Sequence, residues 1–136
     1  MAYSKFIQVN DTMKRYFTLL IFALCFALPL QAREAREQVK INYLISSIEK
    51  LQGAVFIRNG TEYNAKKAAE HLREKLDYAG EKIKTANQFI DKCATASWLS
   101  KRKYQIRFSD GHTQDSAVFL RKKLNEFDLL KAPQAR

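Results

Sequence analysis

Apolar residues repeat with helical spacing in four stretches of the chain. The first stretch has apolar side chains at positions 41, 44, 45, 48 and 51 and predicts an amphipathic helix from about Gln38 to Leu51. Similar stripes predict helices over residues 65–79 and over residues 86–97. The fourth stripe, from Ala117 to Phe127, predicts a last helix that begins at about Thr113.

Polar residues before two of these stripes are typical of helix N-termini. Asn64 stands directly before the second stripe, where its side chain can cap the helix. Thr85 and Gln88 have the three-residue spacing of a capping box before the third stripe. Both patterns therefore predict where a helix begins.

Two segments have β-strand patterns. Asn59-Gly60 lies between β-prone residues and predicts a hairpin over residues 55–63, because both turn residues tolerate a positive φ. Residues 104–108 alternate strictly, with Tyr104, Ile106 and Phe108 predicted to face the core. A hairpin alone is marginally stable, so we place strand 104–108 beside it. The prediction is a small α+β domain of about four helices and a short antiparallel sheet.

The segment from Met13 to Ala32 has the order of a secretory signal peptide. Lys14 and Arg15 precede an apolar run that ends at Leu28, and Ala32 provides a small residue for cleavage. The apolar run is shorter than the roughly 20 residues of an ordinary membrane span, although an uncleaved anchor stays an alternative. We expect residues 1–12 to be an upstream extension, residues 13–32 the signal, and residues 33–136 one globular domain with its core at about 39–127.

The predicted signal changes which partners the net charge indicates. The formal net charge of +10 falls only to about +8 without residues 1–32. In a periplasmic protein this charge favours an envelope protein or an anionic polymer or lipid surface over nucleic acid. The plain alternative is that these charges only form a solvated surface. The chain itself would be attached to a membrane only through an uncleaved signal.

Cys93 is the cysteine that remains after cleavage, and its apolar neighbours predict a buried, unreactive thiol.

Two short strings carry a resemblance to a known family. They are FIRNGTEY at residues 56–63, followed by AAEHL at 68–72, and YQIRF at 104–108, followed by the SDG turn. Together they resemble the YfeK-like family of small exported bacterial proteins, over about residues 39–127. One departure is the segment 101–103, where relatives more often have Gly or Pro. The resemblance implies export and a single domain, and it implies no activity, cofactor or catalytic residue.

Polar residues cluster around the predicted hairpin. They form our candidate ligand-binding set: Arg58, Asn59, Glu62, Tyr63, His71 and Arg107. An arginine fork can hold a carboxylate or a phosphate. The plain alternative is a turn held by Asn-Gly, with an Arg58–Glu62 pair across it.

Two basic runs form a second candidate surface. If they lie together, they make a patch for an anionic surface: Lys101, Arg102, Lys103, Arg121, Lys122 and Lys123. Runs this short are also common on ordinary solvated surfaces.

No pattern in the chain specifies a reaction. His71 and His112 belong to no recognisable metal-ligand motif, and known catalytic motifs are absent, so we expect no metal, no cofactor and no catalytic residue. The leading hypothesis is a non-enzymatic envelope protein that binds a peptide, a protein or an anionic component. The alternative is a small periplasmic hydrolase or transferase that uses His71 and Glu62.

Overall fold

A computed structural model describes residues 34–131, together with Tyr16. The predicted extension 1–12, the cleavage site after Ala32 and all of the predicted signal except Tyr16 lie outside the described residues. Export and signal cleavage therefore stay predictions. Among the residues described, no helix combines the length and the apolar character needed to cross a membrane.

Residues 34–131 form four α-helices and one four-stranded antiparallel sheet. In chain order the elements are α1 (residues 34–49), β1 (Val55–Arg58), β2 (Thr61–Asn64), α2 (Ala65–Ala79), a 3₁₀ turn (Gly80–Lys82), α3 (Ala86–Phe89) with a π-helical turn (Ile90–Ala94), β3 (Gln105–Arg107), β4 (Thr113–Asp115) and α4 (Ser116–Lys131). The predicted α+β class is confirmed.

The predicted caps begin α2 and α3. The backbone N–H of Lys67 donates to Asn64 Oδ1 over 2.9 Å, and that of Gln88 donates to Thr85 Oγ1 over 3.1 Å. These bonds satisfy N–H groups that have no partner within the helix. The reciprocal bond of the capping box is displaced by one residue, because Gln88 accepts from the N–H of Lys84. The local pattern thus located both helix starts.

The Asn59-Gly60 turn sets the register of the hairpin. Both residues have positive φ, 54° for Asn59 and 83° for Gly60, as a two-residue turn of type I′ requires. Arg58 is therefore opposite Thr61, and Ile57 is opposite Glu62. Because neighbouring side chains of a strand point to opposite faces, Arg58 and Glu62 lie on different faces of the sheet.

The predicted third strand lies beside the hairpin. The strand order is β2-β1-β3-β4, and β3 pairs with β1 so that Ile106 is opposite Phe56. The start of the last helix was predicted wrongly at Thr113. The turn at residues 109–111 returns the chain along β3, where Thr113–Asp115 form β4, and the helix begins at Ser116.

The sheet has a buried inner face and a more exposed outer face. On the inner face, Phe56 and Ile106 are 7% and 0% exposed. They join the apolar stripes of the four helices in one core, where Leu44, Phe89 and Leu120 are fully buried. On the outer face, Glu62 is exposed and Arg107 is partly exposed. Any side chain that enters the domain from the sheet must therefore come from the inner face.

Candidate functional site

A small cavity opens between the inner face of the sheet and helix α2. Its volume is about 40 Å³. The polar residues that line it are Arg58 from the end of β1, Tyr63 from β2, His71 and Lys75 from α2, Tyr104 and Gln105 beside and in β3, and Ser116 from α4. No carboxylate is among the lining residues of this part of the chain. We call this site the cationic cavity.

Arg58 enters the cationic cavity because of its strand position. It lies on the same face of β1 as Phe56, and its guanidinium carbon is 6.0 Å from the centre of the Tyr104 ring. That distance is at the outer limit of a cation–π contact. Burial raises the pKa of the Tyr104 hydroxyl, and the nearby Arg58 charge opposes this rise. Tyr104 thus stays a neutral hydroxyl beside the guanidinium.

Lys75 is held between two aromatic rings. Its Nζ lies 4.6 Å from the centre of the Trp98 ring and 4.8 Å from the centre of the Tyr104 ring. It donates hydrogen bonds to the Ala96 carbonyl oxygen over 3.0 Å and to the Tyr104 hydroxyl over 3.2 Å. Desolvation lowers the pKa of Lys75 to about 8, with a further lowering from the Arg58 charge. The ammonium is therefore mostly protonated at pH 7, and no carboxylate of residues 34–131 pairs with it.

His71 is positioned by its neighbours on both sides. Its ring meets the Tyr63 ring edge to face at 5.0 Å, and its Nδ1 lies 3.2 Å from Glu74 Oε2. The other ring nitrogen, Nε2, is buried, and no protein group in residues 34–131 bonds to it. Buried polar atoms nearly always have a hydrogen-bond partner. Nε2 is therefore the atom of the His71 ring that residues 34–131 leave available for a further hydrogen bond.

Half of the predicted hairpin cluster lies elsewhere. Glu62 and Arg107 are on the outer face, where Arg107 Nη2 donates to Glu62 Oε1 over 2.8 Å. The expected Arg58–Glu62 pair is wrong, because the two-residue turn puts these side chains on opposite faces. Asn59 Oδ1 accepts from the Ser100 hydroxyl over 2.6 Å and so ties the turn to a neighbouring loop.

The alternative hydrolase or transferase receives no support from this arrangement. Glu62 is separated from His71 by the sheet and is occupied by Arg107. Cys93 is fully buried, and burial raises its pKa, so the reactive thiolate is disfavoured. Within residues 34–131, no three His, Cys, Asp or Glu side chains are grouped closely enough to hold a metal ion.

The two basic runs are partly neutralised by local carboxylates. Lys103 pairs with Asp115 at 2.8 Å, Arg121 with Asp91 at 2.6 Å and Lys123 with Glu126 at 2.8 Å. The remaining three members of the predicted patch are exposed: Lys101, Arg102 and Lys122. The patch thus contains three exposed cations outside these pairs, and Lys101 lines a separate groove beside Trp98.

Sequence reasoning missed Lys75 and treated Tyr104 chiefly as a core residue. A signal for Lys75 was present, because it lies four residues after His71 and so on the same side of α2. No local pattern places Tyr104 over that lysine. Their contact depends on how β3 pairs with β1 and packs against α2.

Comparisons with known proteins give the chain a family but no activity. Residues 35–128 match the model of a family of unknown function, DUF5329. An uncharacterised protein of Salmonella typhimurium, YfeK, is 36% identical over 85 residues, which cover 62% of this chain and 71% of that protein. No solved structure matches the chain. The predicted YfeK-like resemblance is confirmed, and the chain belongs to the DUF5329 family of unknown function.

Proposed function

We propose that this protein is a non-enzymatic binding domain of the bacterial envelope, and that its cationic cavity binds a carboxylate group of a peptide or protein ligand. The observation that carries the proposal is the convergence of Arg58, Lys75 and His71 on one cavity whose lining contains no carboxylate in the described chain. Arg58 and Lys75 are partly buried and have no carboxylate partner within residues 34–131. Burial of a charge without a counter-ion is costly, so their collection in one cavity favours an anionic ligand.

The size of the cavity favours a carboxylate. A water molecule needs roughly 10–15 Å³ of such space. The volume of about 40 Å³ therefore suits a group of a few heavy atoms, such as the carbon and two oxygens of a carboxylate. Arg58 can present its fork to both oxygens, and Lys75 can add a point charge.

The state of the other side chains supports binding rather than catalysis. Among the residues lining the cavity, Ser116 is the aliphatic hydroxyl, and it is only 4% exposed at the start of α4. The Cys93 thiol is kept protonated by burial. The remaining polar groups are hydrogen-bond donors and aromatic hydroxyls, which suit recognition of an anion.

The envelope assignment depends on the predicted signal peptide. We propose that cells export the chain and cleave it after about Ala32. Mass determination of the protein recovered from the periplasm tests this, and we expect an N-terminus at Arg33. Recovery of a full-length chain from the cytoplasm would contradict export. It would not affect the proposal that the cavity binds a carboxylate, which is tested separately below.

Binding is tested with acetyl-Ala-Ala as the free acid and as the C-terminal amide. We expect the free acid to shift the NMR signals of the Arg58 side chain and the His71 ring, and the amide to leave them unchanged. Arg58→Ala should weaken binding of the acid about tenfold or more. Arg107→Ala is the matched control, because this arginine lies on the opposite face of the sheet and should leave the affinity unchanged.

Two outcomes would contradict the cavity proposal. One is equal binding of the acid and the amide, and the other is an acid titration that leaves the Arg58 and His71 signals unmoved. Tighter binding of inorganic phosphate would instead identify phosphate as the preferred anion. Affinity capture from the organism's own envelope fraction, with Arg58→Ala as the control bait, then identifies the natural ligand.

A further inference from the structure

A second concavity lies beside Trp98 and is larger than the cationic cavity. Its volume is about 470 Å³. Ala79, Ile83 and Ala96 contribute apolar surface, and three lysines also line it: Lys82, Lys92 and Lys101. We call it the Trp98 groove.

Large apolar side chains are exposed at and next to this groove. Tyr78 is 83% exposed, Leu99 is 96% exposed and Trp98 is 40% exposed. The rings of Tyr78 and Trp98 lie 5.4 Å apart, and Leu99 follows Trp98 in the same turn. Clusters of exposed apolar side chains mark interaction surfaces more often than isolated ones do.

The turn that carries Trp98 and Leu99 is held in shape by the backbone. The Lys101 N–H donates to the Ser97 carbonyl, and the Ser97 N–H donates to the Arg102 carbonyl, each over 3.0 Å. Lys101 has a φ of 59°, a conformation that non-glycine residues seldom adopt. The indole N–H of Trp98 donates to the Lys92 carbonyl. The exposed apolar tip is therefore preorganised.

The charge around the tip is positive. Within the described chain, three lysines and one carboxylate line the groove, and Arg121 already pairs with that carboxylate, Asp91, at 2.6 Å. Arg102 adds an exposed cation next to Lys101. Aromatic and leucine side chains flanked by basic residues are the composition of protein surfaces that lie in the interface of an anionic bilayer.

We propose that the tip formed by Tyr78, Trp98 and Leu99, with the surrounding lysines, docks the folded domain onto an anionic lipid bilayer. A bilayer fits better than an acidic peptide, because Leu99 and Tyr78 project outwards with most of their surface exposed. A peptide groove would instead shelter its apolar side chains within the concavity. Lys75 of the cationic cavity contacts the Trp98 ring, but Tyr78, Trp98 and Leu99 do not line that cavity, and the proposal does not depend on carboxylate binding there.

Trp98 is the one tryptophan of the sequence, so all tryptophan emission comes from this surface. The test adds the full chain to vesicles of equal phosphatidylglycerol and phosphatidylcholine, and to vesicles of phosphatidylcholine only. We expect a blue shift of Trp98 emission and quenching by bromine-labelled lipid on the anionic vesicles. High salt should reverse both effects, because it screens the lysines. Residues 1–32 contain no tryptophan, and every variant below retains them, so a difference between variants reports on the tip and not on that segment.

Matched variants separate the tip from general surface properties. Leu99→Asp should weaken binding to the anionic vesicles about tenfold, because it replaces the projecting apolar side chain with a charge. Leu129→Asp is its control, since Leu129 is also largely exposed (78%) but lies near the end of α4. Lys101→Gln should weaken binding more than Lys122→Gln. Arg58→Ala should bind vesicles normally, which distinguishes this surface from the cationic cavity.

Three results would overturn the membrane proposal. The first is Trp98 emission that neither shifts nor is quenched on anionic vesicles. The second is equal quenching on both vesicle types that persists at high salt and in Leu99→Asp. The third is a response of Trp98 to soluble polyglutamate together with no response to vesicles, which would identify an acidic protein partner instead.

Discussion

Two arginines of the same sheet, Arg58 and Arg107, have opposite environments. Arg107 lies on the outer face and pairs with Glu62 at 2.8 Å, and both side chains are substantially exposed. Arg58 lies on the inner face, beside the Tyr104 ring and in a cavity without a carboxylate in the described chain. The two residues are chemically identical, and their roles differ because they point to different sides of the sheet.

The charged residues near the two arginines differ between the two faces in the same way. On the outer face, Lys103 and Asp115 form a second exposed pair, and pairs of this kind contribute little to stability. On the inner side, Lys75 has a pKa lowered by desolvation and has aromatic rings in place of a counter-ion. A charged group kept in a costly environment is a better indicator of function than an exposed, neutralised pair.

The largest expected effect tests the division between the two faces. Ile106→Ala should lower the free energy of unfolding by about 2–5 kcal/mol, because Ile106 is fully buried in the core. Its neighbour supplies the control: Arg107→Ala should cost at most about 1 kcal/mol. Urea unfolding followed by circular dichroism measures both. Similar losses in the two variants would show that the faces are not packed as described.

A smaller effect tests the turn that assigns side chains to faces. Gly60→Ala should lower the free energy of unfolding by about 1–2 kcal/mol, because the φ of 83° is strained for a residue with a Cβ. No atom of residues 34–131 lies within 4 Å of the added Cβ, so the loss would come from the backbone and not from a clash. An unchanged unfolding midpoint would contradict the type I′ geometry.

Lys75→Met separates the binding role of the inner face from its stability. The methionine keeps much of the side-chain volume and removes a desolvated charge, so the free energy of unfolding at pH 7 should change by less than about 1 kcal/mol. Binding of acetyl-Ala-Ala should weaken about tenfold. A large loss of stability with unchanged binding would show that Lys75 is structural.

The same variant gives a test by pH. The pKa of Lys75 is about 8 in the folded protein and ordinarily 10.5, so the unfolded chain binds more protons between these values. The stability of the wild type relative to Lys75→Met should therefore rise as the pH increases from 8 to 10.5. Burial raises the pKa values of Cys93 and Tyr104 in both proteins, and this acts in the opposite direction. Loss of the Lys75 charge raises the pKa of Cys93 further in the variant, which adds to the expected difference. Carboxylate binding by the wild type should weaken above pH 8. A pH-independent difference in stability would contradict the lowered pKa.

The smallest effect concerns the outer face. Glu62→Gln removes an exposed ion pair and should change the free energy of unfolding by less than about 0.5 kcal/mol. It should leave binding of acetyl-Ala-Ala unchanged, because Glu62 is on the face opposite His71. A marked loss of binding would show that Glu62 takes part in the site. It would then support the alternative hydrolase or transferase that uses Glu62 with His71.

Most of the fold follows from local patterns. The apolar stripes, the Asn64 and Thr85 caps and the Asn59-Gly60 turn each depend on residues close in sequence. The caps and the turn appear where predicted, whereas the third helix, predicted over residues 86–97, is α-helical only to Phe89 and ends in a π-helical turn at Ala94. β4 was missed because Thr113–Asp115 carry no strand pattern of their own. They form a strand because the preceding turn places them beside β3, which supplies their hydrogen-bond partners.

The candidate site was only partly predictable for a similar reason. Arg58, Tyr63 and His71 lie close together in sequence, and the structure brings them to the same cavity. Glu62 and Arg107 were grouped with them by sequence distance and by charge. Strand alternation and the pairing of β3 with β1 instead bring these two together on the outer face.

By itself, the sequence determined the family, the α+β class, the positions of the helix caps and the hairpin turn, and the burial of Cys93. These properties depend on short-range spacing and on the apolar or polar character of each residue. Only the tertiary structure decided that Lys75 lies between Trp98 and Tyr104, and that Arg58 and Arg107 face opposite sides. Those contacts join residues that are 23 or more positions apart or depend on strand pairing, so packing alone could set them.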